Sequence, residues 1–95
     1  MGFMRDKIGD AATLEQLAEE CAELGQAALK LARVLRKENP TPVTSAEAQK
    51  NLSEEFTDVL ICAAEFRLYP DIKQAQAKLD RFEARWEEAH RASES

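Results

Sequence analysis

The apolar residues of this chain recur at spacings of three and four over most of its length. One run extends from residue 14 to residue 35, a second covers residues 52–66 and a third covers residues 72–89. Each run has the periodicity of a single apolar stripe along an amphipathic helix, and no segment alternates as a half-buried strand does. The sequence therefore predicts an all-α helical bundle of three to four helices per chain. The stripe positions are Leu14, Leu17, Cys21, Leu24, Ala28, Leu31 and Leu35; Leu52, Phe56, Val59, Ala63 and Phe66; and Ile72, Ala75, Leu79, Phe82, Trp86 and Ala89.

Local signals place the start and the end of the first long helix. Thr13 with Gln16 three residues later is a capping-box pattern, which predicts that the helix begins there. Cationic residues around Arg36 suit the last turn of a helix and predict its end. We therefore expect an N-terminal arm over 1–12, irregular or a short helical turn, before an all-α domain over 13–90.

Proline and capping residues separate the later helices. The segment Asn39–Pro42 contains two prolines and predicts a break. Thr44 or Ser45 is expected to cap the second helix, Pro70 to stop it, and Asp71 to begin the last one. After residue 90 the sequence is polar, and we expect a frayed tail over 91–95.

The second helix is apolar on two sides, because Leu60, Ile61, Ala64 and Leu68 lie away from its stripe. A helix that is apolar on two sides is buried on two sides. A chain of 95 residues has too few helices to cover both sides by itself. The sequence therefore predicts a homodimer or homotetramer whose bundle takes helices from more than one chain.

Charge and cysteine usage exclude several classes of function. The net charge of −5 argues against nucleic acid or an anionic membrane surface as a partner. No apolar stretch approaches the roughly 18–20 residues of a membrane span, and no signal-peptide run is present. Cys21 and Cys62 fall inside helical patterns without a CxxC pair, so we expect reduced core cysteines in a cytoplasmic protein.

Two of the helices carry a pair of carboxylates one turn apart beside the apolar stripe. The pairs are Glu20 with Glu23 and Glu55 with Asp58. Four carboxylates at close quarters would repel one another unless a cation neutralised them, and hard oxygen ligands select Mg²⁺, Mn²⁺ or Ca²⁺ over zinc. The single histidine, His90, lies in neither segment, which excludes a Glu-x-x-His di-iron site. The alternative is that both pairs are ordinary solvated helix faces.

A line of basic residues flanks the last apolar stripe. Lys78, Arg81 and Arg85 could bind substrate phosphates beside a metal, or could simply pair with acidic residues of their own helix. The sequence has no glycine-rich phosphate loop, no GxSxG and no zinc-ligand set. A phosphate-handling enzyme of this kind would have to depend on its metal.

The run Glu19-Glu20-Cys21-Ala22-Glu23 followed by Glu55-Phe56-Thr57-Asp58 resembles the EExxE and ExxD signature of the MazG-like all-α nucleoside triphosphate pyrophosphohydrolases. Dimeric dUTPases and phosphoribosyl-ATP pyrophosphohydrolases are relatives of that family. The similarity continues into DVLICAAEF and KLDRFEARW and covers most of the chain, from Leu14 to Trp86. The resemblance implies a Mg²⁺-dependent enzyme that splits a nucleoside triphosphate between the α and β phosphates, giving monophosphate and pyrophosphate.

The resemblance also assigns roles to individual residues. It implies that Glu20, Glu23, Glu55 and Asp58 hold Mg²⁺, with Mn²⁺ as a possible substitute. It implies that Glu19 and Glu20 are catalytic, with Glu19 supporting the site or orienting water. Lys78 and Arg81 are implied as contacts to substrate phosphates. The alternatives are a phosphoribosyl-ATP pyrophosphohydrolase and, from another class, a non-catalytic dimeric helical interaction module.

Overall fold

The computed structural model of the chain describes residues 2–38 and 42–94, which form helices and connecting loops without strands. The four helices are α1 (Phe3–Ile8), α2 (Asp10–Arg36), α3 (Ser45–Glu65) and α4 (Ile72–Glu94). The predicted all-α class is therefore confirmed. Within these two ranges, no helix combines the length and the hydropathy needed to cross a bilayer.

The first long helix begins three residues before the predicted start, at Asp10. Gly9 precedes it with φ 88°, a left-handed conformation that glycine adopts without a steric penalty. The predicted capping box at Thr13 is wrong, because the Thr13 hydroxyl donates to the Gly9 carbonyl oxygen at 2.7 Å instead of accepting from a backbone N–H. This is the i to i−4 bond that threonine makes inside a helix. The arm over 1–12 contains the short helix α1, one of the two forms expected.

The predicted boundary between α2 and α3 is confirmed at the residues on either side of 39–41. α2 ends at Arg36, and Lys37 follows with φ 58°, the left-handed conformation in which many helices end. The Thr44 hydroxyl oxygen accepts a hydrogen bond from the Glu47 N–H at 3.1 Å and so caps α3. Most of the predicted break, residues 39–41, lies outside the described residues.

The last helix is longer than the sequence predicted. α3 ends at Glu65, and the Asp71 carboxylate then caps α4 by accepting from the Gln74 N–H at 3.0 Å. α4 continues to Glu94, so residues 91–94 are helical, and the expected fraying of the tail stays a prediction. Arg91 lies in the last turn, where a cation interacts favourably with the helix dipole.

Helices α2 and α3 pack along each other and form the core of the chain. They run antiparallel, since the start of α2 and the end of α3 lie at the same end of the pair, where Arg5 joins Asp10 to Glu65. The fully buried side chains of these two helices are small, which lets the two backbones approach closely. The buried residues are Thr13 and Ala27 on α2, and Ala48 and Cys62 on α3.

The face that α2 presents to α3 is only part of its predicted stripe. Leu17, Leu24 and Leu31 are half-buried against α3, as predicted, but Leu14 and Leu35 remain largely exposed. The prediction that Cys21 is a core cysteine is wrong, because its side chain is exposed, whereas Cys62 is buried; both are free thiols. The reason is that α2 is apolar over a wide arc, and one neighbouring helix can cover only part of it.

Helix α4 stands apart from the other three. In the described residues, it makes no contact with α1, α2 or α3. Its stripe is open to solvent, with Phe82 65% and Trp86 53% exposed. The radius of gyration is 18.0 Å, whereas a compact chain of this length would have a radius of about 12 Å. One chain therefore leaves much apolar surface uncovered, although the predicted oligomer itself stays a prediction.

Helix α1 is held against the ends of α2 and α3 by Arg5 and Glu65. The Glu65 carboxylate accepts the Arg5 N–H at 2.8 Å, and the Arg5 guanidinium donates to the Glu65 carbonyl oxygen at 3.0 Å. Gly2 lies directly against that carboxylate, where a β-carbon would not fit. The same guanidinium lies 4.4 Å above the Phe66 ring, a cation–π contact. It also pairs with Asp10, whose pKa this hydrogen bond lowers.

Replacing Glu65 with alanine should release α1. The substitution leaves the Arg5 N–H in the first turn of α1 without its acceptor. The loss of a cap of this kind costs about 0.5–2 kcal/mol. We expect faster hydrogen exchange at the Arg5 amide and a lower melting temperature. Glu65→Gln is the matched control because its side-chain oxygen can still accept that hydrogen bond. Unchanged protection of Arg5 in the alanine variant would contradict this account of α1.

Candidate metal centre and adjoining pocket

Three of the four predicted metal ligands converge where α2 packs against α3. Glu20 and Glu23 lie one turn apart on α2, and Glu55 faces them from α3. One carboxylate oxygen of each residue lies within 4.8 Å of one carboxylate oxygen of each of the other two. We call these three residues the acidic group. The close α2–α3 contact therefore brings together carboxylates that are more than thirty residues apart in the sequence.

The other predicted site residues do not belong to this group. Asp58 is not part of it, but it lines a pocket next to it together with Glu20. Glu19 is exposed on α2 and belongs to neither the group nor the pocket. Lys78 and Arg81 are exposed on α4, which does not contact the helices that carry the carboxylates within the described ranges.

Two oxygens of the acidic group are buried without a partner. Among the described residues, Glu20 Oε2 and Glu55 Oε2 have no hydrogen-bond donor. A buried acceptor without a donor is destabilising, by roughly 1–3 kcal/mol or more when it is charged, and such atoms are rare in folded proteins. The other oxygen of Glu20 accepts a hydrogen bond from Gln16 Nε2 at 2.8 Å. Oxygens of both helices thus meet in a space where nothing in the described chain offsets their charge.

Electrostatic repulsion is visible in the pKa of Glu23. The negative charge of Glu20 raises this pKa, and partial desolvation and the charge of Glu55 raise it further. Like charges this close disfavour the ionised form, and a bound cation would reverse the effect. The acidic group is therefore the kind of arrangement that gains stability from a divalent ion.

A cavity of about 370 Å³ opens beside the carboxylates, between α1, α2 and α3. Gln16 and Glu20 line it from α2, and α1 contributes Met4. The complete lining consists of Met4, Gln16, Glu20, Asp58, Ile61 and Cys62. Apolar and acceptor groups thus share one pocket, which adjoins a possible cation site.

The thiol of Cys62 belongs to the wall of this pocket. Burial raises its pKa, and the negative charges of Glu20 and Asp58 raise it further. A raised pKa disfavours the thiolate, which is the nucleophilic form of cysteine. The ligand atoms of the group formed by Glu20, Glu23 and Glu55 are carboxylate oxygens.

Sequence reasoning did not assign four of the pocket-lining residues to the site: Met4, Gln16, Ile61 and Cys62. Gln16 precedes Glu20 by four residues, a spacing at which glutamine and a carboxylate can pair on a helix, so a readable signal existed. No local signal in the sequence indicated Met4, because it reaches the pocket only through the docking of α1 against Glu65.

The chain matches no protein-family model, no curated protein and no solved structure.

The raised pKa of Glu23 predicts how stability depends on pH without metal. A carboxyl group with a higher pKa in the folded state binds more protons there than in the unfolded state. The free energy of unfolding should therefore fall as the pH rises from the ordinary glutamate pKa through the raised value. Thermal melts in EDTA should show this decline, and Glu23→Gln should reduce it.

Mg²⁺ should restore the stability lost at neutral pH, by about 2.7 kcal/mol at a concentration roughly one hundred times its dissociation constant. The Glu23→Gln variant should respond much less. Glu54→Gln, at an exposed position of α3, serves as the control and should behave like the wild type in both experiments. A wild-type melting temperature that changes neither with pH nor with Mg²⁺ would show that the carboxylates do not act as a group.

Proposed function

We propose that this protein is a Mg²⁺-dependent nucleoside triphosphate pyrophosphohydrolase of the MazG-like type, active as a homo-oligomer. It would cleave a (deoxy)nucleoside triphosphate between the α and β phosphates to give monophosphate and pyrophosphate. The observation that carries the proposal is the convergence of Glu20, Glu23 and Glu55 beside a pocket of small-molecule size. Two buried oxygens of these residues lack a hydrogen-bond partner among the residues that the structure describes.

The residues present fit a hard divalent cation. Each ligand atom in the group is a carboxylate oxygen, the donor that Mg²⁺ and Mn²⁺ prefer. The buried Glu20 Oε2 and Glu55 Oε2 lack donors from the described protein and would gain most from a positive charge. Glu20, Glu23 and Glu55 would hold the ion, and Asp58 could join them from the pocket wall.

When bound, Mg²⁺ would neutralise the charge of the phosphates and polarise the anhydride. The chain itself supplies orientation and a base. Gln16 holds one oxygen of Glu20 in place, so this carboxylate can position a water molecule and accept its proton. As the water oxygen bonds to a phosphorus atom of the α–β anhydride, the bond from that phosphorus to the bridging oxygen would break, and the bridging oxygen would leave with the other phosphate fragment. Glu19, on the outer side of the same helical turn, would support the negative potential that retains the ion.

Assembly would complete the site. The stripe of α4 needs a cover, because most of the stability of a helix in a protein comes from packing of its apolar face, and the stripe of α4 is exposed. We place it on the apolar surface that α2 and α3 of a second copy leave exposed. Lys78 and Arg81 would then approach the phosphates from that second chain, since α4 does not contact the carboxylate helices of its own chain in the described ranges.

A second candidate function is a non-catalytic helical interaction module. The stripe of α4 is uncovered, with Ile72 77% and Leu79 57% exposed. An apolar surface of this kind favours a binding role. This alternative does not require the acidic group to bind metal, so metal dependence and turnover separate the two.

A panel of nucleoside triphosphates, with phosphoribosyl-ATP included, tests the proposed reaction. With Mg²⁺ we expect release of pyrophosphate and monophosphate rather than inorganic phosphate, and no reaction in EDTA. Glu23→Gln and Asp58→Asn should lower turnover at least about 100-fold, because several kcal/mol of charge stabilisation depend on them and a factor of ten in rate is about 1.36 kcal/mol.

Glu54→Gln is the matched control for these variants, since Glu54 is an exposed acid next to Glu55. It should leave turnover unchanged, and circular dichroism should show that all three variants keep the fold. Full activity in Glu23→Gln or Asp58→Asn would exclude the assigned metal site.

The oligomer is tested by charges placed on α4. Leu79→Glu and Trp86→Glu put a carboxylate on the exposed stripe. Burial of each apolar side chain there would contribute about 1.5–3 kcal/mol. Light scattering after size exclusion should show a dimer or larger assembly for the wild type and a shift towards the monomer for both variants. Ala84→Glu, also exposed on α4 but off the stripe, should not change the mass. A monomeric wild type would contradict the proposed assembly.

A further inference from the structure

The side-chain amide of Gln16 is held in one orientation. Its Nε2 donates to Glu20 Oε1 at 2.8 Å. An ionised carboxylate can only accept, so the amide cannot flip its oxygen and nitrogen without losing that bond. Its own carbonyl oxygen, Oε1, has no hydrogen-bond partner among the described residues. Gln16 lines the pocket, and its side chain carries an acceptor without a partner in the described chain.

The rest of the pocket suits a flat ring that carries N–H donors. Met4 and Ile61 supply apolar walls, and a methionine sulfur makes favourable contacts with aromatic rings. The polar atoms that Glu20 and Asp58 contribute are carboxylate oxygens, which are acceptors. Apart from the weak S–H of Cys62 and the second N–H of the Gln16 amide, the polar atoms of the lining side chains are acceptors. The cavity, at about 370 Å³, has the size of a small-molecule site.

We propose that this pocket binds the base of the substrate and that Gln16 selects bases with an exocyclic amino group. The inference rests on the proposed function and names its substrate class. Cytosine and adenine carry an –NH₂ group that can donate a hydrogen bond to Gln16 Oε1. Uracil and hypoxanthine place a carbonyl oxygen there, so two acceptors would face each other and both would lose their bonds to water.

The arrangement also links base recognition to the acidic group. Glu20 orients the amide of Gln16, and the same carboxylate takes part in the convergent group with Glu23 and Glu55. Helix α1 completes the pocket, since Arg5 and Glu65 fix the position from which Met4 reaches the cavity. Selection of the base thus depends on an amide that the catalytic carboxylate itself holds in place.

Two matched pairs of substrates exchange the amino group for a carbonyl oxygen. dCTP and dUTP differ in this way at the pyrimidine, and dATP and deoxyinosine triphosphate differ in this way at the purine; in each pair the adjacent ring nitrogen also changes from an acceptor to an N–H donor. With Mg²⁺ present, we expect kcat/KM to be about 10- to 100-fold higher for the amino-bearing member of each pair. Gln16→Met keeps the length of the side chain but removes both polar atoms, and should bring both ratios close to one even where its overall rate falls.

Gln76→Met is the matched control. Gln76 Nε2 donates to Asp80 Oδ1 at 2.9 Å with the same four-residue spacing, but on the exposed surface of α4. Its ratios should equal those of the wild type.

Titration calorimetry with the α,β-imido analogues of dCTP and dUTP, which resist cleavage, gives a readout without turnover. The wild type should bind the dCTP analogue at least about 10-fold more tightly, and Gln16→Met should bind both alike. If the wild type releases pyrophosphate from dCTP and dUTP equally, or Gln16→Met keeps the wild-type ratio, the role of Gln16 is refuted and the proposed reaction stands. If no triphosphate in the panel is cleaved, the proposed function fails and the inference fails with it.

Discussion

Small side chains bring α2 and α3 close enough for carboxylates of both helices to share one ion-sized space. Ala27 on α2 and Ala48 and Cys62 on α3 are buried in this contact, and none of them keeps the two backbones far apart. The acidic group, the orphaned oxygens and the wall of the pocket all depend on that distance. A larger side chain at Ala48 would act on the site by widening the gap between the helices, without touching a carboxylate.

The same contact also has an unfavourable electrostatic effect. Packing α2 against α3 stabilises the fold, but it also takes Glu20 Oε2 and Glu55 Oε2 out of water without giving them a donor in the described chain. The raised pKa of Glu23 is the measurable sign of this repulsion. Proteins tolerate such groups where function needs them and recover the loss through a ligand. This is why the acidic group differs from the many glutamates that are simply solvated on these helices.

Helices α1 and α4 add a pocket wall and an exposed apolar stripe to the α2–α3 pair. α1 is short and depends on Arg5 and Glu65, yet it turns an open groove into a pocket by supplying Met4. Among the described residues, α4 contributes nothing to the core of its own chain, and its stripe of large apolar residues is exposed. A stripe of this kind is stable when another surface covers it. In the proposed assembly, a second copy would cover the exposed stripe of α4 and would also complete the site.

The local sequence determined the helices and the position of each carboxylate pair within them, because a period of 3.6 residues and a spacing of three are properties of single segments. It also determined the cap at Thr44 and the end of α2 near Arg36. Tertiary structure decided which side of α2 faces α3, and so why Leu24 packs while Cys21 does not, because a wide apolar arc fits several rotations about the helix axis. It also decided that Met4 and Gln16 meet at one pocket. That meeting depends on the bond between Arg5 and Glu65, sixty residues apart, and no local pattern encodes a contact over such a distance.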